Sequence, residues 1–172
     1  MKNLLFICGP NGIGKTTICK EIMRKLPNSV YVDSDPCRLM NPFILNEDTI
    51  PTIAKNISDL LINYMDCTVI ETVIFSYGFH GRRREVFEIV MKALSIRDFN
   101  FVPLLLTCSE EENIKRMDMD NRSSERKQRA IEESRKAFDD VPYPSIDITD
   151  YSASEAAENI IKKAGLSLSM ED

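Results

Sequence analysis

The sequence predicts a single α/β domain in which a parallel β-sheet is covered by helices on both faces. Short apolar segments alternate with longer segments whose apolar residues recur every three or four positions, which is typical of strands and helices in a parallel sheet. Two of the short segments, residues 4–8 and 101–107, are almost entirely apolar, as expected for strands that are buried on both faces. The 172 residues suffice for one domain, which we expect to span residues 1–172.

The first half of the chain is predicted to contain three strands and two helices. Ile18, Ile22 and Leu26 are spaced four apart and indicate the first helix, which Pro27 ends. Apolar residues from Ile50 to Tyr64 repeat at three-and-four spacing and indicate the second helix. The predicted order is strand 2–8, helix 14–26, strand 29–33, helix 50–64 and strand 67–74.

The second half is predicted to contain two further strands and four helices. Ser109 with Glu112, and Ser152 with Glu155, have the spacing of capping boxes that begin helices. The predicted order is helix 82–94, strand 101–107, a helix from 109, a polar break at 118–124, helix 124–138, strand 145–148 and helix 152–165. We expect the tail after Gly165 to be frayed.

The segment between the first strand and the first helix is the most specific feature of the sequence. Gly9-Pro10-Asn11-Gly12-Ile13-Gly14-Lys15-Thr16 matches the complete G-x-x-x-x-G-K-[ST] phosphate-binding pattern in its required context. Glycines allow the backbone N–H groups to surround an anion, and the following helix N-terminus adds its positive dipole end. Lys15 is predicted to bind the β- and γ-phosphates of ATP, and the Thr16 hydroxyl to bind Mg²⁺. The predicted nucleotide-binding residues are Gly9, Asn11, Gly12, Ile13, Gly14, Lys15, Thr16 and Thr17.

Composition limits the partners. The net charge of −5 and the pI near 5.1 disfavour binding to nucleic acid, although a local basic groove would be compatible with it, and they favour a small-molecule substrate. The five cysteines stand singly, and with one histidine the chain has no zinc pattern. Reduced thiols, and no signal peptide or membrane-spanning segment, predict a cytoplasmic protein that does not bind membranes. We expect a monomer or a homodimer.

Ligands of parallel sheets bind at the carboxyl ends of the strands. This rule brings residues 9–16, 33–35, the end of the third strand and residues 118–129 around one cleft. In element order the chain resembles the P-loop kinases of nucleoside monophosphates and small metabolites, such as adenylate, shikimate and gluconate kinases. The resemblance implies a three-layer α/β/α P-loop NTPase fold with five parallel strands in the order 2-3-1-4-5. It also implies an acceptor site between the second and third helical segments and a mobile lid around residues 116–129.

Acidic residues end the second predicted strand. Asp33-Ser34-Asp35 resembles the D-x-D of shikimate kinases, which implies that Asp33 supports Mg²⁺ through water and that Asp35 takes the proton of the acceptor. An Asx turn that only ends the strand is the alternative. Asp35 and Arg38 also resemble the D-x-x-R of polynucleotide 5′-hydroxyl kinases, in which case Arg38 binds a substrate phosphate or carboxylate; a solvated arginine is equally compatible.

Weaker patterns predict roles for three further residues. Glu71 interrupts an apolar strand, and burying an unpaired carboxylate is costly, so we predict that it supports Mg²⁺ or substrate. The alternative is a structural glutamate at a sheet edge. Arg82, followed by Arg83 and Arg84, could bind an acidic acceptor or begin a helix in solvent. His80, the only histidine, is interpreted as structural.

Arginines of the predicted lid complete the candidate site. Arg116 and Arg122 lie where such kinases have lid arginines, and Arg126 and Arg129 follow. The guanidinium group suits charge spread over several phosphoryl oxygens. The alternative is a solvent face on which these arginines pair with nearby glutamates.

Together these patterns predict an ATP- and Mg²⁺-dependent kinase that transfers the γ-phosphate to a small acceptor such as a nucleotide, nucleoside or hydroxylated metabolite. Its predicted catalytic residues are Lys15, Asp35, Arg116 and Arg122. Three alternatives remain open: a polynucleotide 5′-hydroxyl kinase, a non-catalytic nucleotide-binding regulator, and an NTP hydrolase.

Overall fold

The computed structural model describes residues 1–167, in which five strands form one sheet in the order β2-β3-β1-β4-β5. All neighbouring strands are parallel, so the predicted sheet and its strand order are confirmed. The strands are β1 (Lys2–Cys8), β2 (Ser29–Asp33), β3 (Thr72–Tyr77), β4 (Phe99–Thr107) and β5 (Ser145–Asp147).

Helices cover both faces of this sheet, which confirms the three-layer α/β/α architecture. α2 packs against α3 on one face and α1 against α6 on the other. Within residues 1–167 the α-helices are α1 (Lys15–Lys25), α2 (Thr49–Asp66), α3 (Arg83–Leu94), α4 (Glu110–Met119), α5 (Ser124–Arg129) and α6 (Ala153–Lys163).

The two faces of the sheet have different cores. Alternate residues of β1 point to opposite faces: Leu4 and Phe6 join the core under α2 and α3, whereas Leu5 and Ile7 join the core under α1 and α6. The first core is aromatic, and its centre is the Phe6 ring, whose centroid lies 4.7–6.0 Å from five other rings. The second core is mainly aliphatic.

The third strand lies further along the chain than predicted. Its residues pair in register with β1 and β2 from Thr72, which lies beside Asn3 and Ser29, so the three amino ends are level. Residues 67–71 form a turn instead, and Lys2 Nζ donates to the carbonyl oxygens of Cys67 and Ile70. The strand prediction for residues 67–74 was therefore wrong at both ends.

The predicted helix over residues 124–138 is not a continuous α-helix. α5 ends at Arg129, and the chain continues as a π-helical turn (Ala130–Ser134) and a 3-10 turn (Lys136–Phe138). π-turns widen a helix locally and occur often at functional sites. Here the turn buries Ser134, whose hydroxyl accepts a hydrogen bond of 2.9 Å from the backbone N–H of Asn11.

The helix caps, the cysteines and the helix lengths can be compared with the sequence predictions. Ser152 and Glu155 form the complete capping box, whereas Ser109 accepts from Glu112 N–H without the reciprocal bond. All five cysteines are free. Among residues 1–167 no helix has the length and apolar character needed to cross a bilayer. The tail expected to fray lies, from residue 168 onward, outside the described residues.

Candidate active site

A cleft of about 580 Å³ opens at the carboxyl ends of β1, β2 and β3, where the sequence predicted it. The cleft is lined by the glycine-rich loop, by the segments at the ends of β2 and β3, and by residues between Asp120 and Ser134. Of the predicted site residues, it is lined by Asn11, Gly12, Gly14, Lys15, Thr16, Thr17, Asp33, Asp35, Arg38 and Arg122.

The glycine-rich loop is held from behind by α4. Asn113 donates to the carbonyl oxygen of Asn11 at 3.2 Å, and Arg116 donates to that of Ile13 at 2.9 Å. In a trans peptide the carbonyl and the following N–H point in opposite directions, so the N–H groups of Gly12 and Gly14 point away from α4. Both glycines line the cleft, so this arrangement suits an anion there.

Gly12 cannot be replaced without strain. Its φ of 79° lies in the left-handed region, and a Cβ atom at this position would come within 2.3 Å of Met117 Cγ. Close packing of the loop against α4 therefore requires glycine here.

Lys15 turns its ammonium group onto the loop itself. Nζ donates to the carbonyl oxygens of Gly9 at 2.7 Å and Pro10 at 2.8 Å. Burial lowers the pKa of Lys15 to about 8, against the opposing effect of Cys8. A buried cation held by carbonyl dipoles alone is suited to binding phosphate oxygens, so the loop fits the phosphates of a nucleotide.

Asp33 and Asp35 both line the cleft, and they also form the turn that was the alternative. The Asp33 carboxylate accepts a hydrogen bond of 3.0 Å from the N–H of Asp35, which is an Asx turn. Asp35 is mostly exposed and pairs with Arg38. The Asx turn is therefore present, and it leaves both carboxylates lining the cleft, so the roles predicted for Asp33 and Asp35 are compatible with the turn.

The residue types in the cleft fit Mg²⁺. Within residues 1–167 no group of three or more His, Cys, Asp and Glu side chains could enclose a metal. Mg²⁺ usually keeps several waters and binds through one or two protein groups together with substrate phosphates. The Thr16 hydroxyl and the Asp33 carboxylate, which line the same cleft as the phosphate-binding loop, are suitable groups.

Glu71 is not part of this site, so its assignment to magnesium or substrate is corrected. It precedes β3 at the amino end of the sheet, away from the cleft, because the strand begins five residues later than predicted. Its carboxylate is exposed and accepts a hydrogen bond of 3.1 Å from Asn28 Nδ2. Glu71 is thus an exposed structural glutamate, as in the alternative interpretation, but it lies at the amino end of an internal strand and not at a sheet edge.

Arg83, rather than Arg82, faces the cleft. Successive residues of a helix point in directions about 100° apart. Two arginines that are adjacent in sequence therefore cannot both point into the cleft. Arg82 pairs with Glu47 at 2.6 Å and with Glu85 at 2.7 Å on the surface, and Arg83 lines the cleft. His80, interpreted as structural, also lines the cleft.

Arg116 does not reach the cleft, so its catalytic assignment is corrected too. Its guanidinium donates to the carbonyl oxygens of Ile13, Ile148 and Tyr151 and pairs with Glu112 at 2.9 Å. These bonds join the phosphate-binding loop to the loop after β5. The arginines of the predicted lid that do line the cleft are Arg122, Arg126 and Arg129.

Sequence reasoning missed three polar residues that shape the site. Ser76, at the carboxyl end of β3, lines the cleft and shares a hydrogen bond of 2.8 Å with the Tyr31 hydroxyl. Ser134 binds the Asn11 N–H, and the fully buried Asn113 binds the Asn11 carbonyl. Asn113 could have been recognised in the sequence, because it lies four positions before Met117 and is therefore a polar residue on the inner face of α4.

The glycine-rich loop between β1 and α1, the strand order and the cleft define a P-loop fold of the nucleoside monophosphate kinase-like type. The family described as AAA domain matches residues 5–137. The chain therefore belongs to this AAA domain family. Comparison with curated proteins gives no match.

Solved structures share the fold over almost the whole chain. The tunicamycin resistance protein of Deinococcus radiodurans is 18% identical, with a TM-score of 0.68 over 99% of this chain and 100% of its own. A gluconokinase from Sinorhizobium meliloti is 15% identical, with a TM-score of 0.64 over 95% and 91%. The APS kinase of Mycobacterium tuberculosis, in complex with AMPPNP and APS, is 17% identical, with a TM-score of 0.63 over 94% and 96%. These similarities agree with the kinase-like fold that the sequence predicts.

Proposed function

We propose that the protein is a Mg²⁺-dependent kinase that transfers the γ-phosphate of ATP to a hydroxyl group of a small acceptor. The observation that carries the proposal is the shared cleft, which Asp35 and Arg38 line together with the phosphate-binding loop and Lys15. Phosphoryl transfer requires mainly positioning and charge neutralisation, which such a cleft supplies. The fold shared with a gluconokinase and an APS kinase supports the same conclusion.

Each residue has a role that follows from its position. Lys15 and the amides of Gly12 and Gly14 bind the β- and γ-phosphates, and Thr16 and Asp33 hold Mg²⁺. Bound Mg²⁺ neutralises charge on the phosphates. Asp35 orients the acceptor hydroxyl and accepts its proton.

The lid side of the cleft supplies further positive charge. Arg122, Arg126 and Arg129 line it, and Arg122 is held at 3.2 Å by Asp120. Negative charge increases on the phosphoryl oxygens during transfer, so these guanidinium groups stabilise the transition state more than the bound substrate.

A polynucleotide 5′-hydroxyl kinase is the second candidate, because Asp35 and Arg38 form the ion pair expected of a D-x-x-R segment. The net charge of −5 disfavours a nucleic acid substrate. An oligonucleotide with a free 5′-hydroxyl end, added to the acceptor panel below, separates the two candidates.

The test is a metabolite-library screen for ADP formation from ATP and Mg²⁺, with Lys15→Ala as the control. We expect ADP formation that depends on one class of acceptor and is lost in Lys15→Ala. Phosphate release without any acceptor would identify an NTP hydrolase instead. Binding of ATP without turnover across the whole panel would identify a nucleotide-binding regulator.

A further inference from the structure

Two guanidinium groups, those of Arg38 and Arg83, lie near each other in the part of the cleft lined by the segments after β2 and β3. Arg38, whose side chain is 11% exposed, lies over the Tyr77 ring at 5.8 Å, and Arg83 lies over the Phe43 ring at 6.0 Å. Arg38 pairs with Asp35. Within residues 1–167, Arg83 has no carboxylate partner, so the pair of arginines is only half neutralised.

Unpartnered polar atoms occur at the same place. Within residues 1–167, two buried side-chain nitrogens lack a hydrogen-bond partner, Nη1 of Arg38 and Nδ1 of His80, and both residues line this cleft. A buried polar atom without a partner is destabilising, because it has lost the hydrogen bonds that it makes with water in the unfolded chain. Two such atoms beside an unneutralised guanidinium are the pattern expected of a binding site whose ligand supplies the missing acceptor atoms and negative charge.

The electrostatics of His80 agree with this geometry. Burial, together with the smaller effects of the positive charges of Arg83, Arg38 and Lys15, lowers the pKa of His80 to about 4, while Asp35 opposes them. The pKa of Arg83 is also lowered, to about 10, by burial and by the neighbouring Arg38. This part of the cleft is therefore electropositive although the whole chain is acidic.

We propose that Arg38, Arg83 and His80 form an anion-binding subsite that holds an acidic group of the acceptor, a phosphate or a carboxylate. The subsite rests on the proposed function in one respect, since it assigns the anion to the molecule that is phosphorylated. Asp35, bound to Arg38, lies beside the subsite and so next to the hydroxyl of an acceptor held there. The acceptor class is then a hydroxylated compound with an anionic group, and neutral sugars and nucleosides are poor substrates.

The single histidine provides a direct measurement that needs neither ATP nor turnover. The His80 imidazole is the only such signal in the NMR spectrum, and its titration can be followed from pH 3 to pH 8 with added inorganic phosphate, with added acetate, or without either. A bound anion opposes the effect of the two arginines, so we expect the pKa of His80 to rise by about one unit or more. A response to phosphate alone indicates a phosphorylated acceptor, and a response to acetate indicates a carboxylate.

Matched variants show where the anion binds. Arg83→Gln and Arg38→Gln should remove the response, and Arg83→Lys, which keeps the charge without the planar fork, should retain part of it. Arg82→Gln is the control, because Arg82 is adjacent in sequence but paired with Glu47 and Glu85 outside the cleft. The NMR spectrum of each variant also reports whether it is folded.

Three results would overturn the subsite: no change in the His80 titration with either anion, a response that survives in Arg83→Gln, or a response that is lost in Lys15→Ala. The last would place the anion at the phosphate-binding loop. Failure of the kinase screen would leave this measurement unaffected, so the two proposals can fail separately.

Discussion

Arg116 on α4 donates a hydrogen bond of 2.9 Å to the carbonyl oxygen of Ile13 in the phosphate-binding loop. The same guanidinium donates to Ile148 and Tyr151, so one side chain fixes the loop after β1 relative to the loop after β5. A residue of this kind affects the site through the backbone that it holds, without contacting the substrate.

Arg116→Ala and Arg122→Ala should therefore affect different properties: the first mainly the free energy of unfolding, the second mainly kcat. Arg116→Ala leaves buried carbonyls without a donor and should lower the free energy of unfolding by about 2–4 kcal/mol. Arg122→Ala should change it by less than about 0.5 kcal/mol but lower kcat about 10²-fold. Urea denaturation and steady-state kinetics measure the two quantities. Wild-type stability in Arg116→Ala would contradict the structural role.

Lys15 should make the stability of the nucleotide-free protein depend on pH. Its pKa is about 8 in the folded state and 10.5 ordinarily, so between these values the unfolded state binds more protons, and stability rises with pH. The rise should be up to about 3 kcal/mol and should be absent in Lys15→Met. Urea denaturation of both proteins at pH 7 and pH 10 gives the difference. Equal pH dependence in the two proteins would be inconsistent with a buried, desolvated ammonium group.

Gly12→Ala and Gly81→Ala form a matched pair. Both glycines have a left-handed φ, of 79° and 60°, but a Cβ atom at Gly81 meets nothing within 4 Å. Gly81→Ala should cost about 1–2 kcal/mol from backbone strain alone. Gly12→Ala should cost more, because it also contacts Met117, and should abolish the rise in Tm caused by ATP with Mg²⁺. A normal ATP-dependent shift in Gly12→Ala would count against the assigned phosphate-binding loop.

Asp33 and Asp35 should be separable by Mg²⁺ titration. Asp35→Asn removes the proton acceptor and should lower kcat by about 10²–10⁴-fold while ATP binding survives. Asp33→Asn keeps the oxygen that accepts from Asp35 N–H and should instead raise the Mg²⁺ concentration for half-maximal activity about 10- to 100-fold. An Asp35→Asn variant with wild-type turnover would show that the segment serves only as a turn.

The sequence predicted the sheet and the place of the glycine-rich loop between β1 and α1 well, because both depend on local patterns. The alternation of apolar strands and periodic helices, and a complete motif between strand and helix, are visible within short windows. The position of Asp33 and Asp35 along the cleft was predicted for the same reason, since Asp33 ends β2 and Asp35 comes two residues later.

The errors came from relationships between distant segments. Where β3 begins depends on its register with Asn3, and this pairing moved Glu71 to the wrong end of the sheet for binding Mg²⁺. The choice between Arg82 and Arg83 depends on helix phase, which a run of three arginines does not reveal. The partners of Arg116 lie 103 and 32 residues away in the chain, beyond any local pattern.

The two unlike cores of the sheet suggest how such a protein can diversify. The aromatic core includes Tyr77 and Phe79, which adjoin the proposed anion-binding subsite. The aliphatic core includes Ile13 and Ile18, which adjoin the glycine-rich loop. A protein of this fold can therefore accept substitutions in the aromatic core that reshape the part of the cleft near Arg38 and Arg83, while the packing behind the glycine-rich loop stays unchanged.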